Sequence, residues 1–253
     1  MTLGLIGGTG LATLDGLEVV ASHAVDTPYG ATSMAIEEGV FAGQRVFYLH
    51  RHGAAGTPIP PHRVNYRANV WALRELGVEQ LLAANAVGAI NPQLGPGALV
   101  VPDQLVDYSW GREHSFDDGS SGNLQHIDFT EPYDPGLRAR VIAAAGAAEL
   151  PCVDGATLAV VQGPRLETAA EVRRLGRDGC DLVGMTGMPE AALARELALP
   201  YASLCMVVNT AAGLGEGDLS LELIRANLES EAALLRGLLT EFIRGGHVEP
   251  LHG

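Results

Sequence analysis

Two polar features interrupt the apolar part of the chain between residues 181 and 213, and both could do chemistry. The first is the loop Gly184-Met185-Thr186-Gly187, which follows a short apolar run. A helical pattern begins after it, with Pro189 at a position that suits a first helical turn. A small polar loop at the start of a helix can bind phosphate. The loop is therefore a candidate phosphate site.

The second feature is Asn209, which ends the nearly unbroken apolar run from Tyr201 to Val208. Such a run predicts a buried strand that delivers one polar side chain at its carboxyl end. Ligands of open α/β sheets bind at that end of the strands. Asn209 is therefore a candidate ligand-binding residue.

A glycine-rich loop, Gly7-Gly8-Thr9-Gly10, follows the first strand pattern of the chain. Its glycines allow backbone N–H groups to approach an anion closely, although a plain connection between a strand and a turn would look the same. A dinucleotide site, as in an NAD-dependent oxidoreductase, is disfavoured. Thr13 stands where GxGxxG requires its third glycine, and the expected acidic residue does not follow.

Two further strand patterns end in residues that suit a ligand. The pattern at residues 45–49 ends in His50-Arg51-His52, whose guanidinium fork and imidazole donors suit an oxyanion, with a surface charge cluster as the alternative. The pattern at residues 80–84 ends in a predicted loop at residues 85–88. Together with the two loops above, these strand ends are expected to converge on one anion.

Composition narrows the classes of partner. The 253 residues are 47% hydrophobic, which suits one large domain spanning residues 1–253. A net charge of −14 argues against nucleic acid or an anionic membrane as a partner, but a local site can still bind a small anion. All sixteen basic residues are Arg, so a Schiff-base lysine and the lysine of a Walker A loop are excluded.

The three cysteines, Cys152, Cys180 and Cys205, are widely spaced, which predicts neither a metal site nor a disulfide framework. The sequence contains no signal-peptide pattern and no run of 18 apolar residues. We therefore expect a soluble cytoplasmic protein.

Strand patterns alternate with helical ones, which predicts an α/β fold with a mixed, largely parallel central β-sheet flanked by helices. Helices are expected at residues 64–76, 137–147, 169–175 and 219–244. The segment from Ser109 to Pro135, which carries His114 and His126, is predicted to be irregular. A loop of this length in a compact domain usually has a function or contacts another subunit.

Six motifs, in order and at fitting separations, resemble those of the trimeric purine nucleoside phosphorylase and 5'-methylthioadenosine phosphorylase family. They are GGTG at 7–10, RHG at 51–53, VNYRANVWAL at 64–73, NAVGAI at 85–90, GPRLET at 163–168 and GMTGMPE at 184–190. The resemblance implies the nucleoside phosphorylase fold and a homotrimer. It also implies cleavage of a nucleoside by inorganic phosphate, a co-substrate, into free base and sugar 1-phosphate, without a metal or organic cofactor.

Carried over residue by residue, the resemblance implies that phosphate is bound by Thr9, Arg51, His52, Thr186 and the backbone region at Asn85 and Ala86. Met185 would face the ribose. The phosphate has to lie in line behind the anomeric carbon while positive charge develops on the sugar. The base leaves with negative charge, so a group bonded to purine N7 lowers the barrier. Asn209 and His52 are the candidate catalytic residues.

The predicted base pocket contains Glu167, Asn209, Thr210 and Ala211. Methylthioadenosine phosphorylases of this family typically have aspartates at the positions of Asn209 and Ala211, and a small hydroxyl residue in place of Glu167. A 6-oxopurine donates from N1–H and accepts at O6, whereas a 6-aminopurine accepts at N1 and donates from its amine. The Glu167 and Asn209 pair is therefore similar to that of the 6-oxopurine phosphorylases.

In the predicted sugar pocket, the chain differs from the purine nucleoside phosphorylases of the family. Purine nucleoside phosphorylases of this type usually have a histidine near the ribose 5'-hydroxyl, but the corresponding region here contains Leu221, which suits a methylthio group. By resemblance, His126 would reach the 5' pocket of a neighbouring subunit. The expected substrate is S-methyl-5'-thioinosine. The alternatives are 5'-methylthioadenosine or a broader set of purine nucleosides and, more remotely, a non-catalytic nucleoside-binding module.

Overall fold

The computed structural model describes residues 1–11, 13–54, 56–120, 124–215 and 221–246, and at residues 10 and 221–231 it describes the backbone alone. The strands are β1 (Leu3–Gly7), β2 (Glu18–His23), β3 (Ile36–Phe41), β4 (Gln44–His50), β5 (Gln80–Ala89), β6 (Leu99–Val101), β7 (Gln104–Asp107), β8 (Cys152–Asp154), β9 (Thr157–Val160), β10 (Leu182–Gly184) and β11 (Tyr201–Thr210). The helices are α1 (Tyr66–Glu75), α2 (Pro135–Ala147), α3 (Ala169–Arg177), α4 (Gly187–Glu196) and α5 (Leu221–Gly245), with short 3₁₀ helices at Thr9–Leu11 and Pro61–Arg63.

All the described strands join one sheet. Its main path runs β2-β3-β4-β1-β5-β10-β9-β7, and β11 pairs with β5 and β6, while β6 also pairs with β8. Strands β4, β1, β5 and β11 run parallel to one another, and antiparallel pairs join β2 to β3, β3 to β4, β10 to β5 and β6 to β11. The expected mixed, largely parallel sheet is confirmed.

Helices cover both faces of the sheet, and each face has its own apolar core. On one face, α1 and α4 contribute Val70, Leu73, Ala191 and Leu193 to the larger cluster. On the other face, α2 and α5 pack together and contribute side chains that include Leu137, Val141, Leu238, Phe242 and Ile243. Burial of apolar side chains on both faces is what makes the central strands nearly uniformly apolar.

Polar side chains fix where three of the helices begin. Asn65, Asp134 and Thr168 each accept a hydrogen bond from a backbone N–H in the first turn of α1, α2 and α3, respectively. At α3, Glu171 returns a bond to the N–H of Thr168, which completes a capping box. The cap therefore fixes the chain direction directly after Glu167.

The structure corrects the prediction of a loop at residues 85–88. Strand β5 continues through Asn85 and Gly88 to Ala89, because β11 pairs with it along residues 81–89. Asn209 lies at the carboxyl end of β11, as the sequence predicted, next to a bulge at Val208.

None of the described helices is both long enough and apolar enough to cross a bilayer.

Candidate active site

The site forms beside the part of β5 where the neighbouring strand changes from β1 to β10. On one side, β1 pairs with residues 80–83 of β5, and β10 arrives antiparallel to pair with residues 88 and 89. Neither of these two strands pairs with residues 84–87. The loops that leave β1 at Gly7 and β10 at Gly184 therefore border an opening along β5. A crevice where strand order switches is the usual ligand site of an open α/β sheet.

A cavity of about 700 Å³ occupies this opening. The sequence-predicted residues that line it are Thr9, Arg51, His52, Ala86, Glu167, Met185, Thr186 and Asn209. They come from chain segments up to 200 positions apart, so the expected convergence of the strand-end loops is observed. The volume falls within the range of small-molecule sites in proteins.

Arg51 is fully buried at the cavity wall and is held by Glu190 of α4. Its Nε lies 2.5 Å from Glu190 Oε1, and its Nη2 lies 3.0 Å from Glu190 Oε2. Tyr201 donates a further bond of 3.1 Å to Glu190. Burial opposes the charged form of Arg51, but Glu190 outweighs burial and raises its pKa. Arg51 therefore does not belong to a surface charge cluster, which was the alternative interpretation of this strand end.

Arg51 also occupies the gap along β5. Its Nη1 donates a 3.1 Å bond to the carbonyl of Ala84, which lies just beyond the residues that pair with β1. A Cβ atom at Gly8 would lie 2.7 Å from both Arg51 Nη1 and Ala84 O. Only glycine leaves room at this point, so the glycine-rich loop closes on Arg51 without a side chain between them.

His52 has a defined tautomer. Its Nδ1 lies 2.9 Å from the carbonyl oxygen of Ile59, which can only accept, so Nδ1 carries the proton. Burial, and secondly the charge of Arg51, lower the pKa of His52. A neutral ring leaves Nε2 as an acceptor for a protonated phosphate oxygen. This differs from the donor role that the sequence suggested for the imidazole.

Thr186 lines the cavity and is supported from behind by Asn85. The Thr186 hydroxyl donates a 2.9 Å bond to Asn85 Oδ1, and Asn85 Nδ2 lies 2.5 Å from Ser203 Oγ. Asn85 is buried and is not among the described residues that line the cavity. Its side chain therefore orients Thr186, whereas the sequence placed Asn85 with the phosphate-binding residues.

Glu167 and Asn209 line the same cavity as the phosphate candidates. Burial, as the largest cause, raises the pKa of Glu167. Asn209 Nδ2 donates a 2.8 Å bond to the carbonyl of Thr210, which leaves Oδ1 and one N–H for a ligand. The bulge at Val208 re-aims this strand end, so both Val208 and Asn209 reach the cavity although consecutive strand residues normally face opposite sides.

Four other sequence candidates are not brought to the cavity by the described part of the chain. Thr210 contributes its carbonyl to Asn209, and Ala211 is buried in a small apolar cluster beside β10. His126 is exposed and does not line the cavity. Leu221 begins α5, but its side chain lies outside the described residues.

Several residues that support the site were missed by the sequence analysis. Glu190 entered only as the last residue of the motif at 184–190, and Ser203 was one residue of an apolar run. Arg112 lies in the irregular segment without any motif, and the only available signal was the length of that segment. No group of three or more His, Cys, Asp or Glu that could hold a metal ion occurs among the described residues.

Comparison with known proteins gives one consistent family. The model of the phosphorylase superfamily matches residues 2–244. A protein of Xanthomonas campestris pv. campestris, named probable S-methyl-5'-thioinosine phosphorylase, is 49% identical over 246 residues, or 97% of this chain and 98% of that protein. The purine nucleoside phosphorylase of Streptomyces coelicolor is 45% identical over 95% of this chain and 88% of its own.

A solved structure has the same fold. Methylthioadenosine phosphorylase from Schistosoma mansoni in complex with adenine matches with a TM-score of 0.90 and 33% sequence identity. The match covers 96% of this chain and 91% of that one.

Proposed function

Because the chain belongs to the phosphorylase superfamily, we propose that it cleaves S-methyl-5'-thioinosine with inorganic phosphate. The products are hypoxanthine and 5-methylthioribose 1-phosphate. The enzyme class is that of its relatives and structural neighbours, which are nucleoside phosphorylases and hence pentosyltransferases. The choice of substrate is supported by relatives that are named probable S-methyl-5'-thioinosine phosphorylases.

The observation that carries the choice is the presence of Glu167 and Asn209 on one cavity. An ionised Glu167 accepts a hydrogen bond from N1–H of a 6-oxopurine. Asn209 can donate to O6 or accept from a protonated N7. A site built from such groups rejects a base of the opposite polarity because its buried polar groups are left unpaired.

The proposed phosphate site lies at the gap along β5. Thr9, Ala86 and Thr186 line it, and Arg51 offers its remaining N–H groups without adding net charge, because Glu190 neutralises it. His52 accepts from a protonated phosphate oxygen. This arrangement holds phosphate beside the sugar that Met185 contacts.

The reaction then requires no further group. A phosphate oxygen forms the bond to C1' as the bond from C1' to N9 breaks, and the electron pair of that bond goes to the base. Phosphate is both the nucleophile and the counter-charge for the sugar cation. The proton that the phosphate loses balances the proton that the base gains at N7, so hypoxanthine leaves as a neutral base. Asn209 Oδ1 accepts a hydrogen bond from that N7–H. No cofactor is needed, and inorganic phosphate is the co-substrate.

The proposal includes a single domain over residues 1–253 and a cytoplasmic homotrimer. His126 is exposed in one subunit and would complete the 5' pocket of its neighbour together with Leu221. Sedimentation analysis checks the trimer, and an exclusively monomeric active enzyme would contradict it.

Phosphorolysis assays on S-methyl-5'-thioinosine, 5'-methylthioadenosine and inosine, with and without phosphate, test the function. We expect phosphate-dependent release of hypoxanthine from methylthioinosine at the highest kcat/KM. Preferential cleavage of methylthioadenosine would support the second candidate, for which the structural match to a methylthioadenosine phosphorylase is the observation in favour. Preferential cleavage of inosine would support a broader purine nucleoside phosphorylase, as in the relative from Streptomyces coelicolor.

A further inference from the structure

Arg112 is a buried arginine that lies in the irregular segment between β7 and α2. Only 7% of its surface is exposed, and no described carboxylate forms an ion pair with it. A buried guanidinium needs acceptors for its donors. Backbone and amide oxygens of two site loops provide them here.

The first of these loops follows β9 and leads to Glu167. Arg112 Nη2 donates to the carbonyls of Val161, at 3.1 Å, and Gln162, at 2.9 Å. Arg112 Nε donates to the side-chain oxygen of Gln162 at 3.2 Å, and the N–H of Trp110 donates to that same oxygen at 3.1 Å. The irregular segment is therefore joined to the beginning of the loop that carries Glu167.

The second loop carries Met185 and Thr186 and continues into α4. Arg112 Nη1 donates a 2.5 Å bond to the carbonyl of Met188. One planar group thus binds the first loop and the start of α4, which directly follows the second loop. The guanidinium also lies 5.5 Å from the centroid of the Tyr66 ring, and its Nη1 donates a 3.4 Å bond to the Tyr66 hydroxyl.

The two loops also touch each other directly. A Cβ atom at Gly163 would lie 2.5 Å from the sulfur of Met185, so the loops meet with no side chain between them. Gly163 has a φ of +59°, a conformation that favours glycine. The bonds of Arg112 and this contact together set how far Glu167 lies from Met185 and Thr186.

We propose that Arg112 is a positioning residue that joins the Glu167 loop to the Met185–Thr186 loop and thereby sets base selectivity. This inference rests on the proposed role of Glu167 in recognition of the base. A displacement of about 1 Å at a positioned group can lower the rate about 100-fold. A small shift of the Glu167 loop can therefore change substrate selectivity while the protein stays folded. Lysine can replace Arg112 only in part, because it is a point donor without the planar fork.

The test compares R112M and R112K with a matched control, R138M. Arg138 also donates to backbone carbonyls, those of Pro102 at 2.8 Å and Val101 at 3.3 Å, but these residues do not line the cavity. The measured quantity is the ratio of kcat/KM for methylthioinosine to kcat/KM for methylthioadenosine. We expect this ratio to fall about tenfold or more in R112M and less in R112K. In R138M it should stay within about twofold of wild type, as for a change away from the site.

Two outcomes separate this inference from the proposed function. A wild-type enzyme that does not cleave methylthioinosine overturns the function. A wild-type enzyme that does, together with a folded R112M whose ratio equals that of R138M, overturns the role of Arg112.

If R112M does not fold, Gln162→Leu decides the question. It removes the bonds from Arg112 Nε and from the N–H of Trp110, but keeps the three bonds to the backbone carbonyls of Val161, Gln162 and Met188. We expect the ratio of the affinity for hypoxanthine to the affinity for adenine to fall about threefold. An unchanged ratio in the folded Q162L variant counts against the proposal.

Discussion

The side chains of Arg51 and Glu190 meet through two hydrogen bonds inside the protein, with 0% and 1% of their side-chain surface exposed. Replacing Glu190 by Gln leaves Arg51 as an unpaired buried charge. We expect the free energy of unfolding to fall by about 3–5 kcal/mol, as measured by urea denaturation. A Glu190→Gln variant as stable as wild type would contradict this interpretation of the pair.

The double variant R51M/E190L separates the stabilising role of this pair from its role in binding. Apolar residues of similar volume can replace a buried ion pair with little loss of stability. We therefore expect the double variant to recover most of the stability that Glu190→Gln loses. Its KM for phosphate should still be about tenfold or more above the wild-type value, because the donors of Arg51 are gone. A KM for phosphate equal to that of wild type would show that Arg51 does not bind phosphate.

Asn85 accepts a hydrogen bond from the Thr186 hydroxyl, so we expect it to act on phosphate binding through Thr186. Asn85→Ala removes the acceptor of the Thr186 hydroxyl, and we expect the KM for phosphate to rise about threefold to tenfold. In a Thr186→Val background the same change should add little, since the two residues act as one unit. Asn69→Ala is the matched control: Asn69 is also buried and bonds Ser33, but Ser33, unlike Thr186, does not line the cavity. Additive effects of the Asn85 and Thr186 changes would refute the linkage.

The raised pKa of Glu167 predicts a pH-dependent choice of base. Only the ionised carboxylate accepts from N1–H of a 6-oxopurine. Because the pKa is raised, the carboxylate is lost at a higher pH than for an ordinary glutamate. We expect kcat/KM for methylthioinosine to fall as the pH falls through this raised pKa. Protonated Glu167 can donate to N1 of a 6-aminopurine, so discrimination against methylthioadenosine should weaken over the same range.

Glu167→Gln is the control for this titration. An amide does not titrate over the pH range in which Glu167 does. The ratio of kcat/KM for methylthioinosine to kcat/KM for methylthioadenosine should therefore be smaller than in wild type and independent of pH. A wild-type ratio that does not vary with pH would show that Glu167 does not contact the base.

Asn209→Asp tests recognition at the other side of the base. A carboxylate accepts only, so it loses the donor to O6 and gains an acceptor for a 6-amino group. We expect the substrate ratio to shift toward methylthioadenosine by about tenfold to 100-fold, short of full reversal because Glu167 remains. The KM for phosphate serves as the internal control and should not change. An unchanged substrate ratio would exclude Asn209 as a base-recognising residue.

The types of residue at the strand ends indicated the chemistry of the site, and the structure shows how these ends meet. The sequence could not show that β5 continues past Asn85. Small and polar residues at 85–88 are typical of a loop, but pairing with β11, more than 100 positions away, keeps them in a strand. The same limit applied to Glu190, because a partner 139 positions from Arg51 has no local signal.

Arg112 marks a second limit. Its acceptors are mainly backbone carbonyls, which every residue has, so no residue type in the sequence points to them. The sequence-predicted residues that line the cavity are those whose side-chain types suit a ligand. Glu190, Ser203 and Arg112, which hold such residues or their loops in place, were found only from the structure.

The position of the cavity along β5 has a consequence for how the enzyme forms. Strand β5 meets β1, β10 and β11, which begin at residues 3, 182 and 201. Contacts this far apart in sequence form slowly, because long segments have to be closed before they can pair. Neither half of the chain contains all the walls of the cavity. In refolding experiments, catalytic activity should therefore return only with the last cooperative step, after helical structure has recovered.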